Sequence, residues 1–122
     1  ELYDGTAITS KTTTTGTAVE VPFPGDVAIR LTTGTMTGSS GTMDIEIQGC
    51  AADGFSSGVV SYGRFDQLTE NDDSVTRYLR ADVRHKYVRA VIITGGTTVT
   101  SFTPTIDIVE PHYQQVNSTR TA

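Results

Sequence analysis

Apolar and polar residues alternate at period two in several stretches of this 122-residue chain. Val27, Ile29 and Leu31 lie on one side of such a stretch, with Ala28, Arg30 and Thr32 on the other. Met43, Ile45 and Ile47 repeat the pattern against Asp44, Glu46 and Gln48. Val88, Ala90 and Ile92 form a third set, and Phe102, Ile106 and Ile108 a fourth. Period-two alternation marks strands with one buried face, so these side chains are the expected core. No segment sustains apolar residues at i, i+3, i+4 and i+7, and no helix is expected.

The breaks between these runs carry turn chemistry. Pro22-Phe23-Pro24-Gly25-Asp26 reads as a turn, because two prolines deny donors to a ladder. The Gly/Ser/Thr run 34–41 and the segment 51–58, with Phe55 as an anchor, read as loops. Gly95-Gly96 between two alternating runs predicts a tight hairpin turn. Residues 59–68 predict a strand, and 69–74 an acidic turn. Residues 75–82 and 87–94 predict two short strands, or one bent at Arg84-His85-Lys86. The last strand covers 101–109, where Pro104 predicts an edge position or a bulge.

The sum is an all-β domain over residues 11–110 with about seven or eight strands. A polar N-terminal arm, 1–10, precedes it and a polar tail, 111–122, follows. The pattern suits a sandwich or barrel and leaves immunoglobulin-like, jelly-roll and simpler barrel folds open.

Composition agrees with the strand reading. Thr occurs twenty-two times and Gly twelve, which suits half-buried strands joined by turns. The net charge of −5 disfavours a nucleic-acid partner, which needs a concentrated positive face. Arg77, Arg80, Arg84, Lys86 and Arg89 do crowd together, with His85 among them. They are expected to reach solvent or pair with nearby acids, and second to meet an acidic protein partner. Cys50 is the single cysteine, so no intrachain disulfide forms, which suits a chain made in a reducing cytosol. It continues the alternation of Met43, Ile45 and Ile47 and is expected in the core. No apolar run of about 18 residues predicts a membrane span, and no signal-peptide pattern is visible.

The sequence offers no catalytic, cofactor or metal constellation. His85 and His112 are the only histidines, and His85 sits among cations, which work against a general base. No Gly-x-Ser-x-Gly elbow occurs. One cysteine and two distant histidines do not make a zinc set. Asp66, Glu70, Asp72 and Asp73 lack a calcium-loop spacing and are expected to form a solvated acidic turn. The chain has no tryptophan to build a glycan platform, and Tyr78 and Tyr87 are expected in or beside the core. The chain is therefore expected not to be an enzyme.

The C-terminal third carries a resemblance. Arg77-Tyr78-Leu79-Arg80 or Lys86-Tyr87-Val88-Arg89, then Val91-Ile92-Ile93, a Gly/Thr/Ser turn, and Ile106-Asp107-Ile108-Val109 resemble the jelly-roll cement (head decoration) proteins of tailed phages. Residues 5–8 and 19–21 match more loosely, as an arm entering the first strand. The resemblance implies a jelly-roll sandwich and a structural virion protein, made in the host cytoplasm and bound to the outer capsid surface. It implies the major capsid protein as partner, a homotrimer, no nucleic acid, no membrane and no cofactor. The contact residues expected under it are Leu2 and Tyr3 in the arm, with an arm folded back on its own domain as the alternative for that pair, Arg84 and Lys86 at the bend, and Tyr113 in the tail. Two other classes stay open: a glycan-binding adhesion module, and a phage tail or baseplate β-domain.

Overall fold

The computed structural model describes residues 1–21 and 25–109. Ten strands form: β1 (Tyr3–Asp4), β2 (Thr13–Thr15), β3 (Val19–Glu20), β4 (Gly25–Thr33), β5 (Thr37–Cys50), β6 (Val60–Arg64), β7 (Leu68–Thr69), β8 (Thr76–Val83), β9 (Tyr87–Ser101) and β10 (Pro104–Val109). There is no helix among the described residues. One antiparallel sheet runs β1-β10-β4-β8. The other runs β2-β9-β5-β6, with β3 also beside β9 and β7 also beside β5.

The strand order identifies the architecture. β2 and β3 are two pieces of one position along β9, and β6 and β7 two pieces of one position along β5. That leaves eight positions in two layers, and the chain changes sheet at every connection between positions except the one from β5 to β6. The two layers read 1-8-3-6 and 2-7-4-5 in chain order, which is a jelly-roll sandwich.

The expected core is largely the observed core. Ile29, Leu31, Met43, Ile45, Ile47, Val88, Ala90, Ile92, Phe102 and Ile106 are buried, while Val27 and Ile108 are partly buried against them. Each such side chain contributes about 1.5–3 kcal/mol of burial free energy. Cys50 is buried as expected. Phe55 is buried too, with the Arg89 guanidinium 4.2 Å from its ring centre.

Three expectations change and one open alternative is decided. First, Gly95-Gly96 is no hairpin turn. β9 runs straight through it, and Gly95 and Gly96 pair with Thr42 and Gly41 of β5. The supposed loop 34–41 is mostly strand: at Gly38 and Gly41 a Cβ would strike the Thr98 carbonyl, at 2.5 and 2.7 Å, with the Phe102 ring next at 3.5 and 3.0 Å. Second, β10 is not an edge. It lies between β1 and β4, and Pro104 is its first residue, where a missing donor costs least. Third, of the two alternatives for 75–94 the separate strands hold: the segment 84–86 is the crossover between the two sheets, and β8 and β9 lie in different layers. Fourth, the N-terminal arm is part of the sandwich. Leu2 and Ile8 are buried, β1 pairs with β10, and Ile8 bridges Phe102.

Candidate interaction surface

The five expected contact residues have different fates. Leu2 is fully buried, its N–H donating to the Ile106 carbonyl and its carbonyl accepting from Thr17 N–H. It is a core residue here and presents nothing to a partner. An apolar side chain on a polar arm is legible in sequence; whether it packs at home or abroad is not. Tyr3 is half-buried, and its hydroxyl donates to the Thr6 carbonyl at 2.7 Å. Burial, and then the charge of Asp4, push its phenol above the usual range. Arg84 and Lys86 are exposed on the crossover. Tyr113 lies outside the described residues, as does the whole of the expected tail, 111–122.

The basic crowd is neutralised locally. Arg84 reaches Asp82 at 2.9 Å, Arg77 reaches Asp72 at 3.3 Å, and Arg80 reaches Asp26 at 3.6 Å. Lys86 stands 3.9 Å from Glu20 and over the Tyr87 ring. Arg89 donates to the Gln48 side-chain carbonyl at 3.0 Å. These cations are distributed over the two layers and carry no continuous positive patch. Exposed pairs of this kind contribute only about 0–1 kcal/mol each, and a partner can rearrange them at little cost.

Position along β8 decides the fate of its tyrosine. Leu79, Ala81 and Val83 face inward, so Tyr78, Arg80 and Asp82 face out. Tyr78 is 58% exposed, against the expectation of a core or core-edge place. It pairs with Arg30 of β4, which in turn meets Asp107 of β10 at 3.3 Å. The outer face of this sheet thus carries paired charges, Arg30 with Asp107 and Arg80 with Asp26, around the exposed Tyr78 ring. On the other layer Ile93 is exposed beside Asp44 and Thr13.

The acidic turn is solvated at Asp66 and Asp73, as expected, and its carboxylates also clamp nearby backbone. Glu70 accepts from the N–H groups of Gly41 at 2.9 Å and Ser40 at 3.3 Å. Asp73 accepts from Met36 N–H at 2.7 Å, and Asp72 from Thr69 N–H at 2.8 Å. Hydrogen bonds from its own N–H, then from Gly41 and Ser40, hold the Glu70 carboxyl below the usual carboxylate range. Sequence reasoning missed the Glu70 and Asp73 contacts because those carboxylates lie 29 to 37 residues from their donors. A carboxylate run opposite a Gly/Ser run was the available signal.

An open groove of about 370 Å³ is lined by Glu1, Tyr3, Asp4, Thr15, Gly16 and Thr17. Two of its polar side chains are engaged within the arm: the Tyr3 hydroxyl donates to the Thr6 carbonyl, and Asp4 accepts from the Thr6 hydroxyl at 2.6 Å and from Thr6 N–H, which hold its carboxyl below the usual range. Among the described residues no three His, Cys, Asp or Glu side chains gather to hold a metal ion. No described helix is long and apolar enough to cross a membrane.

Comparison with family models, with curated proteins and with solved structures finds no match to this chain.

Proposed function

We propose that this chain is a structural, non-catalytic cement protein that binds the outside of a phage head. The observation that supports it best is the strand order β1-β10-β4-β8 over β2-β9-β5-β6. It is the jelly roll that the C-terminal resemblance implies. The paired charges on the outer face of the β1-β10-β4-β8 sheet suit broad docking better than enclosure of a small molecule.

A cement acts by linkage. It binds the assembled lattice of the major capsid protein better than the free subunit, so it adds stability to the assembled state alone. As a homotrimer it would engage several subunits at once, and release would need several contacts to break together. Tyr78, Arg84 and Lys86 are the exposed side chains assigned to these contacts; Leu2 is withdrawn from them.

Heads stripped of the protein should release DNA at a lower temperature than decorated heads, and adding it back should restore the difference. Light scattering on the isolated protein should give about three chain masses, the closed symmetry usual for homo-oligomers. Equal release temperatures for bare and decorated heads would overturn the cement reading and leave glycan adhesion, tested on a glycan array, as the leading one.

A further inference from the structure

The Tyr62 hydroxyl is a three-way junction beneath the crossover between the sheets. Along β5 and β6 the register moves from Ile47–Gly63 to Gln48–Ser61, which leaves Tyr62 as the extra residue of a β-bulge. Bulges re-aim side chains, and this one packs the Tyr62 ring against Gly49, where a Cβ would strike it. The hydroxyl oxygen then meets the N–H of Arg84 at 3.0 Å, the N–H of His85 at 3.1 Å and Nδ1 of His85 at 2.5 Å.

Three nitrogens around one phenol oxygen leave a single proton arrangement. Backbone N–H groups can only donate, and together they occupy the oxygen's acceptor capacity. The hydroxyl proton must therefore go to Nδ1, which must be bare. A bare Nδ1 corresponds to the tautomer of His85 that carries its proton on Nε2. A second proton on the ring would place N–H at Nδ1, so the oxygen would face three donors and its own proton would lose its acceptor.

We propose that Tyr62 and His85 form an acid-sensitive latch that fixes the 84–86 crossover while His85 is neutral and releases it when the ring takes a second proton. Histidine is the side chain whose charge ordinarily changes in the mildly acid range. The sign follows directly: the latch requires the neutral ring, so it is present at higher pH and lost as the pH falls. The charges around His85 are Arg84 and Lys86 on the crossover itself, Asp82 of β8 paired with Arg84, and Glu20 of β3 paired with Lys86. Tyr62 is the titratable group that β6 presents to it. The latch stands on this geometry alone. Because the crossover carries Arg84 and Lys86, its release also changes how those cations are presented.

The test is amide hydrogen exchange by NMR on the full chain at pH about 8 and about 5, corrected for intrinsic rates, with imidazole ¹H–¹⁵N correlations for the tautomer. At the higher pH His85 should show bare Nδ1. At the lower pH the Arg84 and His85 amides should lose about tenfold in protection relative to the β9 amides. His85→Asn keeps an acceptor near the Nδ1 position without a titrating ring, so it should retain protection at both pH values. Tyr62→Phe should show low protection at both and let the tautomer mix. A proton on Nδ1 at the higher pH, protection unchanged by acid in the unaltered chain, or an acid response in His85→Asn equal to that of the unaltered chain would each overturn the proposal. A change at His112 would persist in His85→Asn and is separated by it.

Discussion

Gly41 lies directly opposite Gly96 in the β5–β9 ladder. Gly96 has φ +81°, a conformation that side chains with a Cβ rarely adopt, and the Ser40 carbonyl occupies the space a Cβ would need. Ser40 itself has φ +51°, and Glu70 receives the N–H groups of Ser40 and Gly41. The two longest strands thus pass a tight, clamped point between Gly41 of β5 and Gly96 of β9. Beyond it the inward phase of β9 shifts, from Ile92 and Thr94 to Val99.

Gly96→Ala should destabilise the fold by about 2 kcal/mol or more, from backbone strain plus the clash. Gly95→Ala is the control: its Cβ would meet only the Thr42 hydroxyl, at an ordinary 3.5 Å. Urea unfolding should show a clearly lower midpoint for the first variant and a small change for the second.

Leu2→Ala should cost about 2–5 kcal/mol, the range for emptying a packed aliphatic site. Removal of residues 1–8 should cost more, because Ile8 and the β1–β10 pairing go with it. The measurement is the thermal unfolding midpoint. Thr9→Ala, at an exposed site, should leave it unchanged.

Acid should weaken the sandwich through carboxylates held by hydrogen bonds. Glu70 is lowered by its own N–H and those of Gly41 and Ser40; Glu46 is lowered first by a Ser61 hydrogen bond, then by Gln48 and Arg64 against the opposing effect of burial. A carboxyl lowered in the folded state stabilises above its unfolded value and loses that contribution as pH falls through the folded one. Denaturant midpoints should therefore decline as pH drops below about 4.3. Glu70→Gln should start lower at neutral pH and show a shallower decline.

Joint replacement Arg84→Glu and Lys86→Glu should change stability by only about 0.5 kcal/mol, since both side chains are exposed and their pairs are weak. On the cement reading it should weaken attachment to heads and remove most of its salt dependence. A pelleting assay across salt concentrations measures both.

The sequence by itself determined the class of the fold and most of its core. Met43, Ile45 and Ile47 face inward because a pleat sends successive side chains to opposite faces, and that depends only on local order. Glycine was the ambiguous letter. Gly95-Gly96 satisfies a hairpin turn and also a tight crossing of two strands, and only the approach of Ser40 and Gly41 of β5 selects the second. Leu2 was ambiguous in the same way until β10 supplied a neighbour for it. The Tyr62 junction was invisible in the sequence because it joins residues 62, 84 and 85 through a bulge whose register depends on β5. Period-two patterning reports which face of a strand is wet. It carries no information about which strand lies alongside, because pairing partners in this sandwich are set by crossovers between sheets and by close packing.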